Sequence, residues 1–159
     1  MSEEERAAAL AKAAAAVEAL RARFPSLVTT SDDPSAYSTQ QSEPWSQTCW
    51  QLAAAYVELK TSQDVSDALQ VVKRRRCRFA LRSAGHNPNP GFSSVDGTGV
   101  VLDVRGLDGR EMGEDGVARC GAGNIWGDVY QWLEGKGLSA IGGRDCQVGL
   151  AGFLLGGIR

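Results

Sequence analysis

The chain has 159 residues, 43% of them hydrophobic, which is enough apolar material for one domain with its own core. Its net charge is −2 and its densest basic stretch, residues 73–78, is short, so no broad basic face indicates nucleic-acid binding. That stretch is better explained as cations near a helix C-terminus. Four cysteines without a CxxC pair and a single histidine argue against a zinc site and favour reduced, mostly buried thiols.

The N-terminal segment predicts a helix over residues 2–23. Ser2 and Glu5 have the spacing of a capping box, alanines dominate the segment, and Pro25 ends it. The segment starts acidic and never sustains an apolar stretch, so it does not resemble a secretory signal. As written, the chain is expected to be cytoplasmic and to have no membrane partner. We assign residues 1–36 to this helix and a linker, and residues 37–159 to one domain.

The next elements follow from apolar periodicity and turn residues. Residues 29–47 are rich in Ser, Asp, Pro and Gln and predict a polar loop. Short apolar runs predict strands at residues 54–59, 78–81, 100–104 and 117–120. Helical spacing predicts a helix at residues 63–75, capped by Thr61 or Ser62, and another at 125–134, stopped by Gly135 and Gly137. Strands mixed with crossover helices indicate an α+β domain with small mixed sheets and flanking helices.

The only histidine, His86, lies in the segment RSAGHN at residues 82–87, directly after a predicted strand. Gly85 allows a positive φ or a close approach to a ligand, and the NPNPG run that follows forces a turn. A histidine at a strand end is well placed for nucleophilic or acid–base chemistry, because its pKa ordinarily lies near neutrality. The alternative is a loop histidine that is only hydrogen-bonded.

Two glycine-rich segments follow. Residues 141–157 (IGGRDCQVGLAGFLLGG) interrupt apolar residues with glycines, and residues 121–126 (GAGNIW) come after a short strand. Such a backbone can present N–H groups to an anion, although neither segment is a P-loop or a dinucleotide fingerprint. Glycines in this number also mark ordinary turns and bulges.

Taken in this order, the segments resemble the FAD-linked oxidases of the vanillyl-alcohol oxidase and berberine-bridge-enzyme type. The family pattern is RSxGHN after a strand, an aspartate-bearing strand, GxGxxW before a helix, and GGRxxxVGxxGFxLGG. It corresponds here to residues 82–87, 100–104, 121–126 and 142–157, and an upstream piece at residues 44–46 and 62–69 also fits. The resemblance covers about residues 37–157 and implies the N-terminal part of a PCMH-type FAD-binding domain. Many such relatives are secreted.

The resemblance implies FAD as cofactor, bound covalently through His86, which corresponds to the family histidine that attacks the 8α-methyl carbon of the isoalloxazine. Arg82 could supply a cation beside that histidine or could contact the pyrophosphate. The remaining implied cofactor-binding residues line the diphosphate, largely through their backbone: Ser83, Ala84, Gly85, Asn87, Gly142, Gly143, Val148, Gly149, Ala151, Gly152, Gly156 and Gly157.

Some relatives attach the flavin a second time, through a cysteine three residues before the valine of the VGxxG segment. Here Val148 is that valine and Asp145 occupies the cysteine position, while Cys146 lies two residues before the valine. A one-residue offset can reverse the direction of a side chain in extended backbone. Cys146 is therefore either a flavin attachment point or a buried thiol.

The family continues beyond its glycine segment into a second half of the flavin domain and a large substrate domain. We therefore expect this chain to be an N-terminal fragment that neither turns over substrate nor holds FAD tightly alone. Two functions remain open. One is the FAD-binding part of an oxidoreductase that oxidises an alcohol, sugar or related small molecule, with oxygen as acceptor. The other is a non-catalytic remnant that binds at most a nucleotide or a protein.

Overall fold

The computed structural model describes residues 1–156, and a four-stranded mixed sheet lies at its centre. The strands are β1 (Val28–Thr29), β2 (Ala55–Glu58), β3 (Arg78–Arg82) and β4 (Gly99–Asp103). Their order in the sheet is β1-β2-β4-β3, with β4 parallel to both β2 and β3 and β1 antiparallel to β2. Parallel strands require a crossover, which the helix after β2 provides. The carboxyl ends of β3 and β4 consequently lie side by side.

Helices α1 (Glu3–Arg23) and α3 (Ser62–Arg75) cover one face of the sheet. Both begin with a capping box, at Ser2 and at Thr61, so both predicted helix starts are confirmed to within a residue. The apolar faces of the two helices pack on alternate residues of β2 and β4 and form one core. This core includes Ala16 and Leu20 of α1, Val72 of α3, Val57 of β2 and Leu102 of β4. Because α1 contributes to this core, it is part of the same packed body as the sheet.

The opposite face of the sheet carries a helix that the sequence interpretation missed. Residues 29–47 were predicted as a polar loop, and this is wrong: α2 (Pro34–Ser42) lies there. Asp33 caps it by accepting from the Ala36 N–H, and Pro34 occupies its first turn. The helix has little apolar character, and it is held by tertiary contacts such as the Tyr37 hydroxyl, which donates to the Ala53 carbonyl at 2.6 Å.

The rest of the described chain forms a hairpin and two short helices. Strands β5 (Arg110–Met112) and β6 (Ala118–Cys120) pair antiparallel, followed by α4 (Trp126–Glu134) and α5 (Leu150–Gly156). Strand β5 was not predicted, whereas β6 and α4 are confirmed. The α+β class with small mixed sheets and flanking helices is also confirmed. Among residues 1–156, no helix combines the length and the hydropathy needed to cross a membrane.

The four thiols are free, and they differ in exposure. Cys49 and Cys77 are buried, Cys120 is partly buried and Cys146 is exposed. Burial raises the pKa of the Cys77 thiol. It also raises the pKa of the Cys120 thiol, which is less buried. The prediction of mostly buried thiols therefore fails at Cys146.

A buried ion pair joins the carboxyl ends of β3 and β4. The Arg82 guanidinium, 1% exposed, donates through Nε and Nη2 to Asp103 Oδ2 at 3.0 and 2.6 Å. It also donates through Nη1 to the Gln40 carbonyl of α2 at 2.7 Å and through Nη2 to the Gln40 side chain. Arg105 binds the same carboxylate from the other side, with Nη2 2.8 Å from Oδ2. Every charge in this cluster therefore has a partner, as burial requires.

Replacing Asp103 with Ala should lower the free energy of unfolding by about 3–5 kcal/mol, because it leaves the Arg82 guanidinium buried without its anion. Urea unfolding monitored by circular dichroism measures this loss. The matched control is Asp115→Ala, which removes an exposed, solvent-screened ion pair to Arg119 and should therefore lower the free energy of unfolding far less. Equal losses in the two variants would contradict the anchoring role of the buried pair.

Tyr56 provides a pH test of the same region. Burial, together with the neighbouring Tyr37, raises the pKa of Tyr56 to about 12. Between about pH 10 and 12 the unfolded chain releases this proton while the folded chain keeps it, so stability should fall with rising pH. The expected loss is on the order of 1–2 kcal/mol. Tyr56→Phe should flatten this slope in urea unfolding curves, and an unchanged slope would contradict the assignment to Tyr56.

Candidate functional site

A cavity of about 580 Å³ opens at the carboxyl ends of β3 and β4. One wall is the turn that follows β3, and the opposite wall is the start of α5 together with Val148 and Gly149. The walls are mainly apolar, with few polar side chains among them. Sites of this volume and composition bind organic ligands, with orientation set by a small number of polar groups.

The turn at residues 83–87 is fixed from three sides. Gly85 has φ +68°, and a Cβ there would lie 3.2 Å from the Pro44 Cα, so both conformation and space require glycine. The backbone N–H of Trp45 donates to the Gly85 carbonyl at 3.2 Å. The Ser83 hydroxyl donates to the Ala122 carbonyl at 2.7 Å. The side chain of Ser83 is thus committed to structure, while the turn as a whole lines the cavity.

Arg82 does not face this cavity. Its guanidinium is turned into the protein, onto Asp103 and Gln40, and it does not line the cavity wall. Neither sequence interpretation of Arg82, as a cation beside the histidine or as a pyrophosphate contact, agrees with this placement. The physical reason is the Asp103 carboxylate beside it in the sheet, which a buried arginine pairs with at short range.

His86 is the one titratable side chain among the described residues that line the cavity. Its ring stacks on the Trp45 indole, with centroids 5.2 Å apart and planes 15° from parallel. Its Nε2 lies 3.7 Å from Asp145 Oδ2. The side chain is 24% exposed, so it is partly shielded from water but open to a ligand. An imidazole held in this way can act as a nucleophile or as a proton donor or acceptor.

The glycine segment approaches the turn most closely at Gly149. A Cβ on Gly149 would lie 3.0 Å from the Ala84 Cβ and 3.1 Å from Ser83 Oγ. A bridge between Ile125 and Gly149 and the Leu150 N–H bond to the Asn124 carbonyl hold this point against the start of α4. Ala151 and Gly152, in the first turn of α5, also line the cavity. No protein atom lies within 4 Å of a Cβ built on Gly152, so its free side faces open space.

Other predicted positions lie elsewhere. Gly142 and Gly143 pack against the Trp126 indole, which a Cβ on either would overlap, and they do not line the cavity. Their glycine character is thus explained by aromatic packing. Gly156 ends α5 away from the cavity wall, and Gly157 lies outside the described residues. The predicted residues that the structure brings together on the cavity are Ser83, Ala84, Gly85, His86, Asn87, Val148, Gly149, Ala151 and Gly152.

Sequence reasoning missed several wall residues. Those not predicted are Leu81, Phe92, Ser93, Val104, Ala122, Phe153 and Leu155. Ser93 is the most informative, because its residue is 9% exposed and its Oγ is buried without a hydrogen-bond partner. Buried hydroxyls are normally paired, so an unpaired one on a cavity wall indicates a polar ligand atom. The NPNPG turn before Ser93 was the available signal that the chain returns to the site.

Cys146 does not line the cavity. It is exposed, and its carbonyl accepts from the Gly127 N–H at 3.0 Å. Asp145, which occupies the position of the second attachment cysteine of some relatives, is the neighbour that faces His86.

Several known FAD-dependent proteins are similar to this chain. A family model described as FAD binding domain matches residues 53–159. An FAD-dependent monooxygenase of Penicillium terrestre, macF, is 40% identical over 121 residues, which is 76% of this chain and 23% of that protein. An FAD-dependent monooxygenase of Arthrobotrys oligospora is 39% identical over 126 residues, 79% of this chain and 25% of that protein. The chain thus spans about a quarter of the length of these relatives.

Solved structures share the fold. The 6-hydroxy-D-nicotine oxidase of Arthrobacter nicotinovorans superposes with a TM-score of 0.70 at 29% identity, over 79% of this chain and 27% of that one. The BBE-like 1 protein of Physcomitrella patens has a TM-score of 0.72 at 24% identity, over 86% of this chain and 29% of that one, and supports the fold alone. The family model covers most of the chain, so the chain belongs to the FAD-binding domain family.

Proposed function

We propose that this chain is the FAD-binding part of an oxidoreductase that oxidises an alcohol, sugar or related small molecule, with dioxygen as acceptor and with FAD attached through His86. The observation that carries the proposal is the placement of His86. It is the single imidazole of the chain, it lines the cavity, and it is held by a stacked indole in a glycine-dependent turn.

The residues on the cavity fit FAD. Ser93 Oγ is a buried group without a partner, suited to a polar atom of the cofactor. The N–H groups of Ala151 and Gly152 lie in the first turn of α5, where backbone N–H groups have no partner within the helix, and such groups are good donors to phosphate oxygens. The apolar side chains of Phe92, Val104 and Leu155 suit the flat ring systems. We therefore assign diphosphate binding to backbone groups.

When bound, the flavin supplies the hydride-accepting chemistry. Attachment through His86 would replace one C–H bond of the 8α-methyl group and one imidazole N–H bond by a C–N bond, and the two protons and two electrons released would reduce dioxygen to hydrogen peroxide. The part of His86 is that of a nucleophile, which requires a neutral nitrogen with a free lone pair. The part of Trp45 is to hold the ring plane, and that of Gly85 is to bring the ring to the cavity wall.

The substrate side of the reaction needs groups beyond these residues. Apart from His86, no titratable side chain lines the cavity within residues 1–156, so a base for the substrate is not available here. The alternative function, a nucleotide-binding module without catalysis, is supported by this lack of a second titratable side chain on the cavity wall within residues 1–156. Peroxide formation that depends on an added alcohol or sugar favours the oxidase, and incorporation of oxygen into the product would instead favour a monooxygenase, the activity in the names of the two fungal relatives.

His86→Ala should abolish covalent flavin. A protein that carries residues 1–159, expressed with a riboflavin supply, should keep yellow colour and flavin fluorescence after acid precipitation, because a C–N bond survives unfolding. The variant should release all of its flavin. Asn89→Ala, a change in the same loop at a residue that does not line the cavity, should retain the attached flavin. Complete release of flavin from the unsubstituted protein would rule out attachment while leaving non-covalent binding possible.

Gly152→Val should weaken FAD binding without loss of stability. Outside its own helix and its chain neighbours, no described protein atom lies within 4 Å of the added Cβ, which adjoins the cavity, so we expect the new side chain to occupy ligand space. Gly156→Val is the matched control, since that position is equally open and does not line the cavity. Fluorescence titration with FAD should show at least about a tenfold weaker affinity for the first variant, equivalent to about 1.4 kcal/mol. Equal affinities would mean that the cofactor does not contact the first turn of α5.

A further inference from the structure

We infer that Asp145 is a positioning residue for His86: its carboxylate keeps the imidazole proton on Nε2 and thereby leaves Nδ1 as the nitrogen with the free lone pair. The inference concerns the histidine side chain in the protein itself. It rests on the proposed function only for the use made of Nδ1, which would be the attacking nitrogen.

The Asp145 carboxylate has a defined orientation although its side chain is 58% exposed. Oδ1 accepts from the Gln147 N–H at 2.8 Å, and the Asp145 carbonyl accepts from the Val148 N–H at 3.3 Å. This local turn, in which an aspartate accepts from the backbone two residues on, holds one oxygen in place. The second oxygen, Oδ2, then points to His86 Nε2 at 3.7 Å.

The imidazole is constrained from its flat side as well. The Trp45 ring lies parallel to it within 15°, and the Trp45 N–H is bonded to Gly85, the residue immediately before His86. Stacking fixes the plane of the imidazole, but it does not distinguish one ring nitrogen from the other. The Asp145 carboxylate does so, because the ring nitrogen that its Oδ2 approaches, at 3.7 Å, is Nε2.

The chemistry of the two groups sets the proton position. A neutral imidazole has one N–H and one lone pair, and an ionised carboxylate can only accept. Facing the carboxylate with the Nε2 lone pair would be repulsive, whereas facing it with Nε2–H is attractive. At 3.7 Å the contact is longer than a hydrogen bond, so with a neutral imidazole it is a weak attraction between a partly exposed carboxylate charge and the Nε2–H dipole.

Replacing the Asp145 carboxylate with an amide distinguishes control of the imidazole proton from a purely structural role of Asp145. In Asp145→Asn the side-chain oxygen can still accept from the Gln147 N–H, which places the NH₂ group opposite His86 Nε2. The donor now favours the Nε2 lone pair, and the proton should shift toward Nδ1. Asp145→Ala removes both influences and should give an intermediate distribution. Asp128→Asn, on α4 and paired with Arg110, is the matched control.

The measurement uses the fact that the chain has one histidine. Long-range ¹H–¹⁵N NMR of the ¹⁵N-labelled full chain, at a pH where the imidazole is neutral, gives the ratio of the Nε2–H to the Nδ1–H tautomer. Relative to the unsubstituted chain, the ratio should fall by about twofold to fivefold in Asp145→Asn, the size expected for a weak, partly exposed electrostatic contact. It should fall less in Asp145→Ala and stay unchanged in Asp128→Asn.

An unchanged ratio in both Asp145 variants would overturn the inference, whatever the fate of the flavin. A separate measurement tests the proposed function. Protein that has reacted with FAD is digested, and NMR of the flavin-bearing peptide identifies the linked nitrogen, which we expect to be Nδ1. Absence of any linked flavin would contradict covalent attachment and leave the tautomer result standing. Linkage through Nε2 would overturn the role assigned here to Asp145.

Discussion

The buried ion pair between Arg82 and Asp103 determines where the candidate site lies. It ties the last residue of β3 to the last residue of β4, and Gln40 of α2 completes the same network on the face of the sheet that α2 covers. The turn that holds His86 begins at Ser83, directly after Arg82, so the buried ion pair fixes the position of its first residue. Breaking a buried ion pair costs several kcal/mol, so Arg82 keeps this position. The position of His86 therefore depends on the buried pair at the strand ends.

The charged side chains of this network, Arg82, Arg105, Asp103 and Glu43, do not line the cavity. The Arg82 guanidinium is neutralised in the protein interior by Asp103, and the partly exposed Arg105 guanidinium is paired with Asp103 and Glu43. The cavity wall itself has apolar side chains, backbone groups, one unpaired serine hydroxyl and one imidazole. An anionic cofactor would therefore be bound by N–H dipoles, which act at short range and demand close approach. Small residues at Ala84, Gly85 and Gly149 satisfy that demand.

The glycines of the chain serve two physical purposes that look alike in the sequence. Gly142 and Gly143 give room to the Trp126 indole, which anchors α4 against the segment before α5. Gly149 allows that segment to reach the turn of the histidine, and Gly152 leaves space on the cavity wall. Packing of the first pair supports the placement of the second. The contiguous glycine motif is thus part scaffold and part ligand surface.

Local signals in the sequence determined the helix starts at Ser2 and Thr61, the positions of β2, β3, β4 and β6, and the membership of His86 and Gly149 in one site. These depend on capping, periodicity and a family motif, each contained in a few neighbouring residues. Tertiary structure alone decided the rest. Helix α2 has almost no apolar face, and the contacts of Tyr37 and Gln40 with other segments hold it; Asp33 and Pro34 are local signals that mark only where it begins. The inward direction of Arg82, the unpaired hydroxyl of Ser93 and the approach of Asp145 to His86 each require residues distant in sequence, and no local pattern encodes which partner a side chain meets.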